Sequence, residues 1–136
     1  MSRSYIADPG APTILVVDDD FPVRDSLRLL LELEGYRVVT AIDGRDGLAA
    51  YHRVAPDLVI TDMVLPHAPG LEVIDGVKQA DPAANIIAMS GGVRRTLEAH
   101  SLEAASERGA SVVFRKPYDP DEMLVAVSSL LSQTSA

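Results

Sequence analysis

Five polar side chains stand at or just after the ends of short apolar runs in this sequence. They are Asp18, Asp19, Asp62, Ser90 and Lys116. Carboxylates crowded together repel one another, which raises their pKa values unless a cation resolves the conflict. A hard divalent ion such as Mg²⁺ does so with oxygen ligands, usually one or two protein carboxylates and several waters. One carboxylate can then attack a phosphoryl group while a hydroxyl and an ammonium contact its oxygens, so the set favours phosphoryl-transfer chemistry.

The apolar runs are predicted to be β-strands that bring these side chains to one edge of a sheet. The runs are Thr13–Val17, Tyr36–Thr40, Asp57–Thr61, Asn85–Met89 and Ser111–Phe114. Predicted helices alternate with them over Phe21–Glu34, Gly44–Val54, Leu71–Ala80, Val93–Arg108 and Asp119–Leu131. This (βα)5 pattern predicts an α/β fold with a doubly wound, five-stranded parallel sheet in three αβα layers, as in flavodoxin-like proteins. Sites in such folds lie at the carboxyl ends of the strands.

Composition excludes several other classes of protein. The chain has 136 residues, with 12 Lys and Arg against 20 Asp and Glu, giving a net charge of −8. This acidic balance argues against direct binding to nucleic acid or to an anionic membrane. The absence of cysteine excludes a disulfide scaffold, a thiol nucleophile and a cysteine-ligated metal. The sequence has neither a membrane-length apolar run nor a signal peptide, so a cytoplasmic domain is expected.

The chain is predicted to form one domain with short flanking segments. Residues 1–12 contain several Pro and Gly residues and are predicted to be a flexible lead-in. The domain is predicted over residues 13–131, and residues 132–136 form a short tail. Because so few residues follow Leu131, no output domain is expected, and the function is predicted to be that of a stand-alone module.

Four segments together resemble the receiver domain of two-component response regulators, in its single-domain, CheY-like form. The segments are ILVVDDD, LVITDMVLPHAPGLEV, AMSGG and FRKPYD, in this order along the chain. The resemblance implies that Asp62 accepts a phosphoryl group from a sensor histidine kinase or a histidine phosphotransfer protein. It further implies a signalling role, through phosphorylation-dependent binding of an unidentified downstream protein or through a phosphorelay. Such a domain is not a conventional enzyme, but self-phosphorylation from small donors and slow autodephosphorylation are expected.

The same resemblance assigns the other site residues. Asp18 and Asp19 would serve Mg²⁺ (or Mn²⁺), with Asp19 as the direct ligand. The backbone carbonyl of Val64 would be a further metal ligand. Ser90 matches the switch hydroxyl, and Lys116 matches the lysine that contacts the phosphoryl group.

The sequence departs from this family near its last strand. The family often has an aromatic switch residue three positions before the lysine, where this chain has Val113. Phe114 is adjacent, but strand alternation directs it to the opposite face of the sheet. We therefore expect the backbone of residues 90–96, which include Gly91 and Gly92, to respond to phosphorylation.

Three other interpretations compete with a receiver domain. Asp18-Asp19-Asp20 also satisfies the Asp-x-Asp nucleophile motif of haloacid-dehalogenase-type phosphohydrolases, with Asp18 as the nucleophile. The short chain and the lack of a role for Asp62 count against this alternative. A flavodoxin-like FMN carrier would need a less anionic loop after the first strand, and a non-phosphorylated binding module would leave the acidic site unused.

Overall fold

The computed structural model describes residues 9–91 and 102–134, over which strands and helices alternate. The strands are β1 (Thr13–Val17), β2 (Arg37–Ala41), β3 (Leu58–Asp62), β4 (Asn85–Ser90) and β5 (Val112–Arg115). The helices are α1 (Phe21–Leu33), α2 (Gly44–Val54), α3 (Gly70–Ala80), α4 (residues 102–107) and α5 (Pro120–Thr134). Much of the helix predicted over Val93–Arg108, and most of the segment 90–96, lie outside the described residues.

Hydrogen bonds explain where β2 differs from its predicted bounds. The amide of Tyr36 donates to the carbonyl of Leu31, 3.3 Å away, so Tyr36 closes the end of α1 instead of opening the strand. At the other end, the amide of Asp18 donates to the carbonyl of Ala41 over 3.1 Å, which extends the pairing by one residue. The strand therefore lies one residue further along the chain than its apolar pattern predicts.

All five strands are parallel and lie in the order β2-β1-β3-β4-β5. Parallel neighbours require crossover helices, and helices on both faces of one sheet give a doubly wound fold. The chain moves from β1 outward to β2 and then returns past β1 to β3. The predicted α/β class is confirmed.

The sheet separates two apolar cores. Leu15 and Val17 pack on the face that carries α2, α3 and α4, together with Val73 and Ala105. Ile14 and Val16 point to the opposite face, where Leu27 of α1 and Met123 of α5 complete the second core. This alternation within one strand is the period of two expected for a β-strand, and it produces the three layers. No helix within the described ranges is long and apolar enough to cross a membrane.

Candidate functional site

The site lies where the strand order reverses, between β1 and β3. Crevices at such positions, beyond the carboxyl ends of the strands, are the usual ligand sites of open parallel sheets. Asp18 directly follows β1, and Asp62 is the last residue of β3. Lys116 follows β5 from the far edge of the sheet and reaches back to both of them.

Asp18 is fully buried, and its polar groups are bonded on all sides. Its Oδ1 accepts a hydrogen bond from the amide of Asp20 over 3.0 Å, which turns the chain immediately after β1. Its Oδ2 accepts from Nζ of Lys116 over 2.7 Å. Its backbone carbonyl accepts from Nη1 of Arg24 over 2.8 Å. A carboxylate held in this way is a fixed charge at the base of the site.

Lys116 bridges Asp18 and Asp62. Its Nζ donates to Oδ2 of Asp62 over 2.9 Å, in addition to its bond to Asp18. Burial by itself would lower the pKa of the Lys116 ammonium, but the bonds to the two carboxylates outweigh it and raise that pKa. The lysine therefore remains charged and draws the ends of β1, β3 and β5 together.

Asp62 is 6% exposed and keeps one face toward the groove described below. Its Oδ1 accepts a hydrogen bond from the amide of Val64 over 3.2 Å. Burial raises the pKa of the Asp62 carboxyl, and the charge of Asp18 adds to the increase, although Lys116 and the Val64 amide oppose it. The negative charge of Asp62 is therefore costly, and a cation in addition to Lys116 would relieve the cost.

Asp19 completes a group of three acidic residues that could hold a metal ion. Its carboxylate is exposed, and one oxygen from each of Asp18, Asp19 and Asp62 lies within 4.8 Å of the others. Only Lys116 forms an ion pair with any of these carboxylates in the part of the chain that the structure describes. Hard oxygen donors with an excess of negative charge suit Mg²⁺ or Mn²⁺.

Ser90 is the last residue of β4, which lies beside β3. Its hydroxyl forms no hydrogen bond among the described residues. The residue is fully buried. A buried hydroxyl without a partner is destabilising and is uncommon in folded proteins. Ser90 pairs in register with Arg115, the residue before Lys116, and the amide of Lys116 donates to the carbonyl of Ser90 over 2.7 Å. The hydroxyl is thus held at the same edge as the lysine.

Two glycines allow close contacts around these side chains. A Cβ on Gly70 would lie 2.4 Å from the carbonyl oxygen of Asp62, so the start of α3 packs directly against the backbone of this aspartate. A Cβ on Gly91 would lie 2.5 Å from Cβ of Lys116. The peptide bond between Lys116 and Pro117 is cis.

An open groove of about 990 Å³ leads from Asp62 along α1. Its polar end is formed by Asp19, Asp20, Asp62, Gly91 and Lys116. Its apolar length is formed by Pro22, Val23, Leu29, Leu30 and Leu33 on one side and by Pro117, Tyr118 and Pro120 on the other. Asp18 is not among its lining residues, so Asp62 is the more accessible of the two buried carboxylates.

Comparison with known proteins identifies the family. The profile described as the response regulator receiver domain matches residues 14–128. The chain belongs to this family. The match covers every strand except the first residue of β1, and most of α5. Receiver domains are signalling domains that bind Mg²⁺ and interact with histidine kinases or phosphotransfer proteins.

Two curated relatives illustrate how such domains are used. The sporulation initiation phosphotransferase F of Bacillus subtilis is 33% identical over 118 residues, which cover 87% of this chain and 92% of that protein. The DNA-binding dual master transcriptional regulator RpaA of Synechocystis is 32% identical over 127 residues. Those residues cover 90% of this chain but only 50% of the regulator. This chain therefore spans about half the length of some relatives and nearly all of another.

Solved structures of receiver domains have the same fold. The CheY-like receiver domain of Methanospirillum hungatei superposes with a TM-score of 0.83 at 27% identity, covering 91% of this chain and 96% of that chain. The receiver domain of NtrX from Brucella abortus gives a TM-score of 0.81 at 31% identity, covering 89% and 99%. The resemblance derived from the sequence is confirmed, and the hydrolase alternative gains no support from these comparisons.

The structure brings together the side chains that the sequence singled out. Asp18, Asp62 and Lys116 are in direct contact, Asp19 lies beside them, and Ser90 lies at the same edge. The contact from Val64 is made by its amide, and the role of its carbonyl as a metal ligand stays a prediction.

Sequence reasoning missed Arg24, whose contact with Asp18 joins residues six positions apart. Such a contact leaves no motif, although an arginine one turn after three consecutive aspartates was a usable signal. Near the position where the family often has an aromatic switch residue, neighbouring side chains point to opposite faces of the sheet, as strand alternation predicts. Val113 is 37% exposed, whereas Phe114 packs against the core formed by α1 and α5.

Proposed function

We propose that this chain accepts a phosphoryl group on Asp62 from the phosphohistidine of a sensor kinase or a histidine phosphotransfer protein. The observation that carries the proposal is the position of Asp62. Its carboxylate lines the groove, its Oδ2 lies 2.9 Å from Nζ of Lys116, and two further carboxylates lie alongside it. A nucleophile needs access to its substrate and cationic groups nearby to stabilise the transferred charge.

In the proposed reaction, a carboxylate oxygen of Asp62 forms a bond to phosphorus. The phosphorus–nitrogen bond to the donor imidazole breaks, its electron pair stays on the nitrogen, and a proton from solvent neutralises that nitrogen. The product on this chain is an aspartyl phosphate. Asp18 is the weaker candidate for the nucleophile because its carboxylate is fully buried and does not line the groove.

Asp19, Asp62 and the Val64 carbonyl are proposed to hold Mg²⁺ or Mn²⁺, and Asp18 contributes charge beside them. When bound, the metal neutralises the oxygens of the phosphoryl group and the surrounding carboxylates. The donor set fits this role because three carboxylates face a single lysine in the described site.

Lys116 and Ser90 are proposed to bind the phosphoryl oxygens after transfer. Lys116 already touches the accepting carboxylate, so it would need only to shift its bond from Asp62 Oδ2 to a phosphoryl oxygen. The Ser90 hydroxyl has a free donor in the described structure and would gain its partner at that moment. Both bonds would draw the end of β4 toward the site, which agrees with the expectation that residues 90–96 respond.

The groove along α1 is proposed to receive the phosphodonor protein. It joins an anionic, chemically competent end to a longer apolar surface, which is suited to another protein rather than to a small metabolite. Output through an unidentified downstream protein, relay to a second phosphotransfer protein and a cytoplasmic location also stay predictions. The resemblance to a sporulation phosphotransferase supports the relay, since the chain covers 92% of that relative.

Phosphorylation by a small donor tests the assignment of Asp62. Purified chain is incubated with phosphoramidate, whose phosphorus–nitrogen bond resembles phosphohistidine, and Mg²⁺, and intact mass is measured before and after hydroxylamine. We expect a single hydroxylamine-labile phosphoryl group on the wild type and none on Asp62→Asn. Asp75→Asn, which changes a half-exposed carboxylate on α3, is the matched control and should be labelled normally. Label that persists in Asp62→Asn and disappears in Asp18→Asn would favour the hydrolase instead.

A further inference from the structure

Arg24 contacts the site through the backbone and not through a carboxylate. Its Nη1 donates to the carbonyl oxygen of Asp18 over 2.8 Å. Its guanidinium also lies over the ring of Phe21, with 5.4 Å between Cζ and the ring centroid. The side chain is half-buried between these two contacts. Both hold the guanidinium against the turn that joins β1 to α1.

This bond fixes the orientation of one particular peptide group. The carbonyl of Asp18 and the amide of Asp19 belong to the same planar unit, together with both Cα atoms. Asp18 is already held on its other side, because its amide donates to Ala41 and its Oδ1 accepts from Asp20. Once Arg24 fixes the carbonyl, the direction in which Asp19 leaves the strand is determined. The carboxylate of Asp19 is exposed, and no described hydrogen bond holds it in place.

We infer that Arg24 is a positioning residue, which orients the Asp18–Asp19 peptide and so presents Asp19 to a divalent cation. This inference rests on the proposed function, since it assigns Asp19 to the metal. No contact of Arg24 with the metal or the phosphoryl group is part of this role. Its effect is transmitted through the backbone, as the hydrogen-bonded neighbours of metal ligands commonly act.

The charge of Arg24 and its positioning role predict effects of opposite sign on metal affinity. If Arg24 acted only as a nearby positive charge, its removal would strengthen the binding of a cation. If it positions Asp19, its removal weakens binding, typically by about tenfold for a partner of a metal ligand. The sign of the change therefore distinguishes the two roles without reference to stability.

The test measures the Mg²⁺ affinity of Arg24 variants by calorimetric titration with Mg²⁺ alone. We expect Arg24→Met to raise the dissociation constant about tenfold. Arg24→Lys keeps a charged donor and should recover part of that loss. Arg53→Gln, which removes an equal charge from an exposed position on α2, should bind Mg²⁺ like the wild type. If Arg24→Met fails to fold, Arg24→Lys and Arg24→Gln carry the comparison.

A second readout needs no metal. The ¹⁵N shift of the Asp19 amide reports the hydrogen bond from Arg24 to the Asp18 carbonyl, because this amide and this carbonyl belong to one peptide group. It should move in every Arg24 variant and stay constant in Arg53→Gln. Equal or tighter Mg²⁺ binding by Arg24→Met, or an unchanged Asp19 shift, would overturn the inference. A wild-type chain that binds no Mg²⁺ would overturn the proposed function and the inference together.

Discussion

At the scale of single residues, Lys116 is the positive charge that pairs with Asp18 and Asp62. It bonds two carboxylates, one of which is fully buried, and it is the residue that ties β5 to β1 and β3. Removing one member of a buried ion pair leaves an uncompensated charge, which costs far more than the pair contributes while intact. The lysine therefore has a structural role in addition to its proposed contact with the phosphoryl group.

Replacing Lys116 should destabilise the fold in a way that a second substitution reverses. We expect Lys116→Met to lower the free energy of unfolding by about 3 kcal/mol in the presence of EDTA. The double variant Lys116→Met/Asp18→Asn should recover much of this loss, because it no longer contains the buried Asp18 carboxylate without its partner. Urea unfolding of both variants and of Asp18→Asn measures the coupling. Simple additivity would mean that the Lys116–Asp18 contact does not stabilise the fold.

The buried carboxylate of Asp62 predicts a pH-dependent stability. Burial is the chief reason that the pKa of the Asp62 carboxyl is raised in the folded state. Between the pKa values of the unfolded and folded states, the folded chain therefore holds a proton that the unfolded chain has lost. The contribution of the Asp62 carboxyl to the free energy of unfolding is therefore lost as the pH rises above the ordinary pKa of aspartate. Asp62→Asn cannot ionise, so its advantage over the wild type in EDTA should be small near pH 4 and grow toward pH 7. Unfolding free energies at both pH values test this, and a constant difference would contradict it.

The chemistry-bearing residues were predictable because they lie at or just after the ends of strands, and parallel strands end at one edge. What the sequence could not supply is how each group is bonded. Nothing in the motif indicates that Ser90 Oγ lacks a partner among the described residues or that Arg24 holds the Asp18 carbonyl. Both facts depend on distances between side chains and backbone groups of separate elements. The period of an apolar pattern contains no information about such distances.

At the scale of elements, the loop between β3 and α3 depends on a close approach of backbones. A Cβ at Gly70 would lie 2.4 Å from the Asp62 carbonyl oxygen and 2.6 Å from Cα of Met63. These are backbone atoms, so they cannot move aside as the end of a long side chain could. The first turn of α3 is thereby held directly against the backbone of Asp62.

Substitution of Gly70 should therefore disturb both the fold and the site. We expect Gly70→Ala to lower the free energy of unfolding by about 2 kcal/mol, as overpacking of a buried contact commonly does. It should also slow phosphorylation of Asp62. Gly10 has no atoms within 4 Å of its Cβ position, so Gly10→Ala is a matched control that should change neither property. Chemical denaturation and phosphoramidate labelling measure the two effects, and equal stability of both variants would contradict the packing argument.

Element types were predictable from apolar periodicity, whereas their ends were set by contacts that the pattern does not contain. The bounds of α2 and β1 agree with prediction because Asp43 caps the helix and Thr13 pairs from the strand's first residue. The prediction ended α5 at Leu131, but the helix continues to Thr134. Its last residues are polar and carry no apolar signal to mark the extension.

At the scale of the whole molecule, the acidic balance and the cluster of Asp18, Asp19 and Asp62 are linked. The net charge of −8 disfavours a compact state, and the three carboxylates at the switch point concentrate part of that repulsion. A cation bound only by the folded chain stabilises it by mass action. Metal binding should therefore be visible as a gain in stability.

The size of that gain can be predicted. Mg²⁺ at about ten times its dissociation constant should add about 1.4 kcal/mol to the free energy of unfolding, or a few degrees in Tm. Asp19→Asn should be more stable than the wild type in EDTA, because one repelling charge is gone, and should gain little from Mg²⁺. Thermal unfolding of both proteins with and without Mg²⁺ makes the comparison. An equal Mg²⁺ gain in both would remove Asp19 from the metal site.

The three-layer architecture was predictable as a whole because strands and helices alternate throughout the described chain. The groove was not, since its two walls come from α1 and from the segment Lys116–Pro120, which lie far apart in the sequence. Its shape depends on how α1 and α5 pack on the same face of the sheet. This surface is also where we place the phosphodonor.

The central claim is that Asp62 carries the phosphoryl group, and reductive trapping tests it most directly. Borohydride converts an aspartyl phosphate, but not a free aspartate, to homoserine, which peptide mass spectrometry locates to a single residue. After phosphorylation with Mg²⁺ and phosphoramidate, we predict homoserine at position 62, and none when EDTA replaces the metal. Homoserine at position 18 or 19, with position 62 unmodified, would contradict the account.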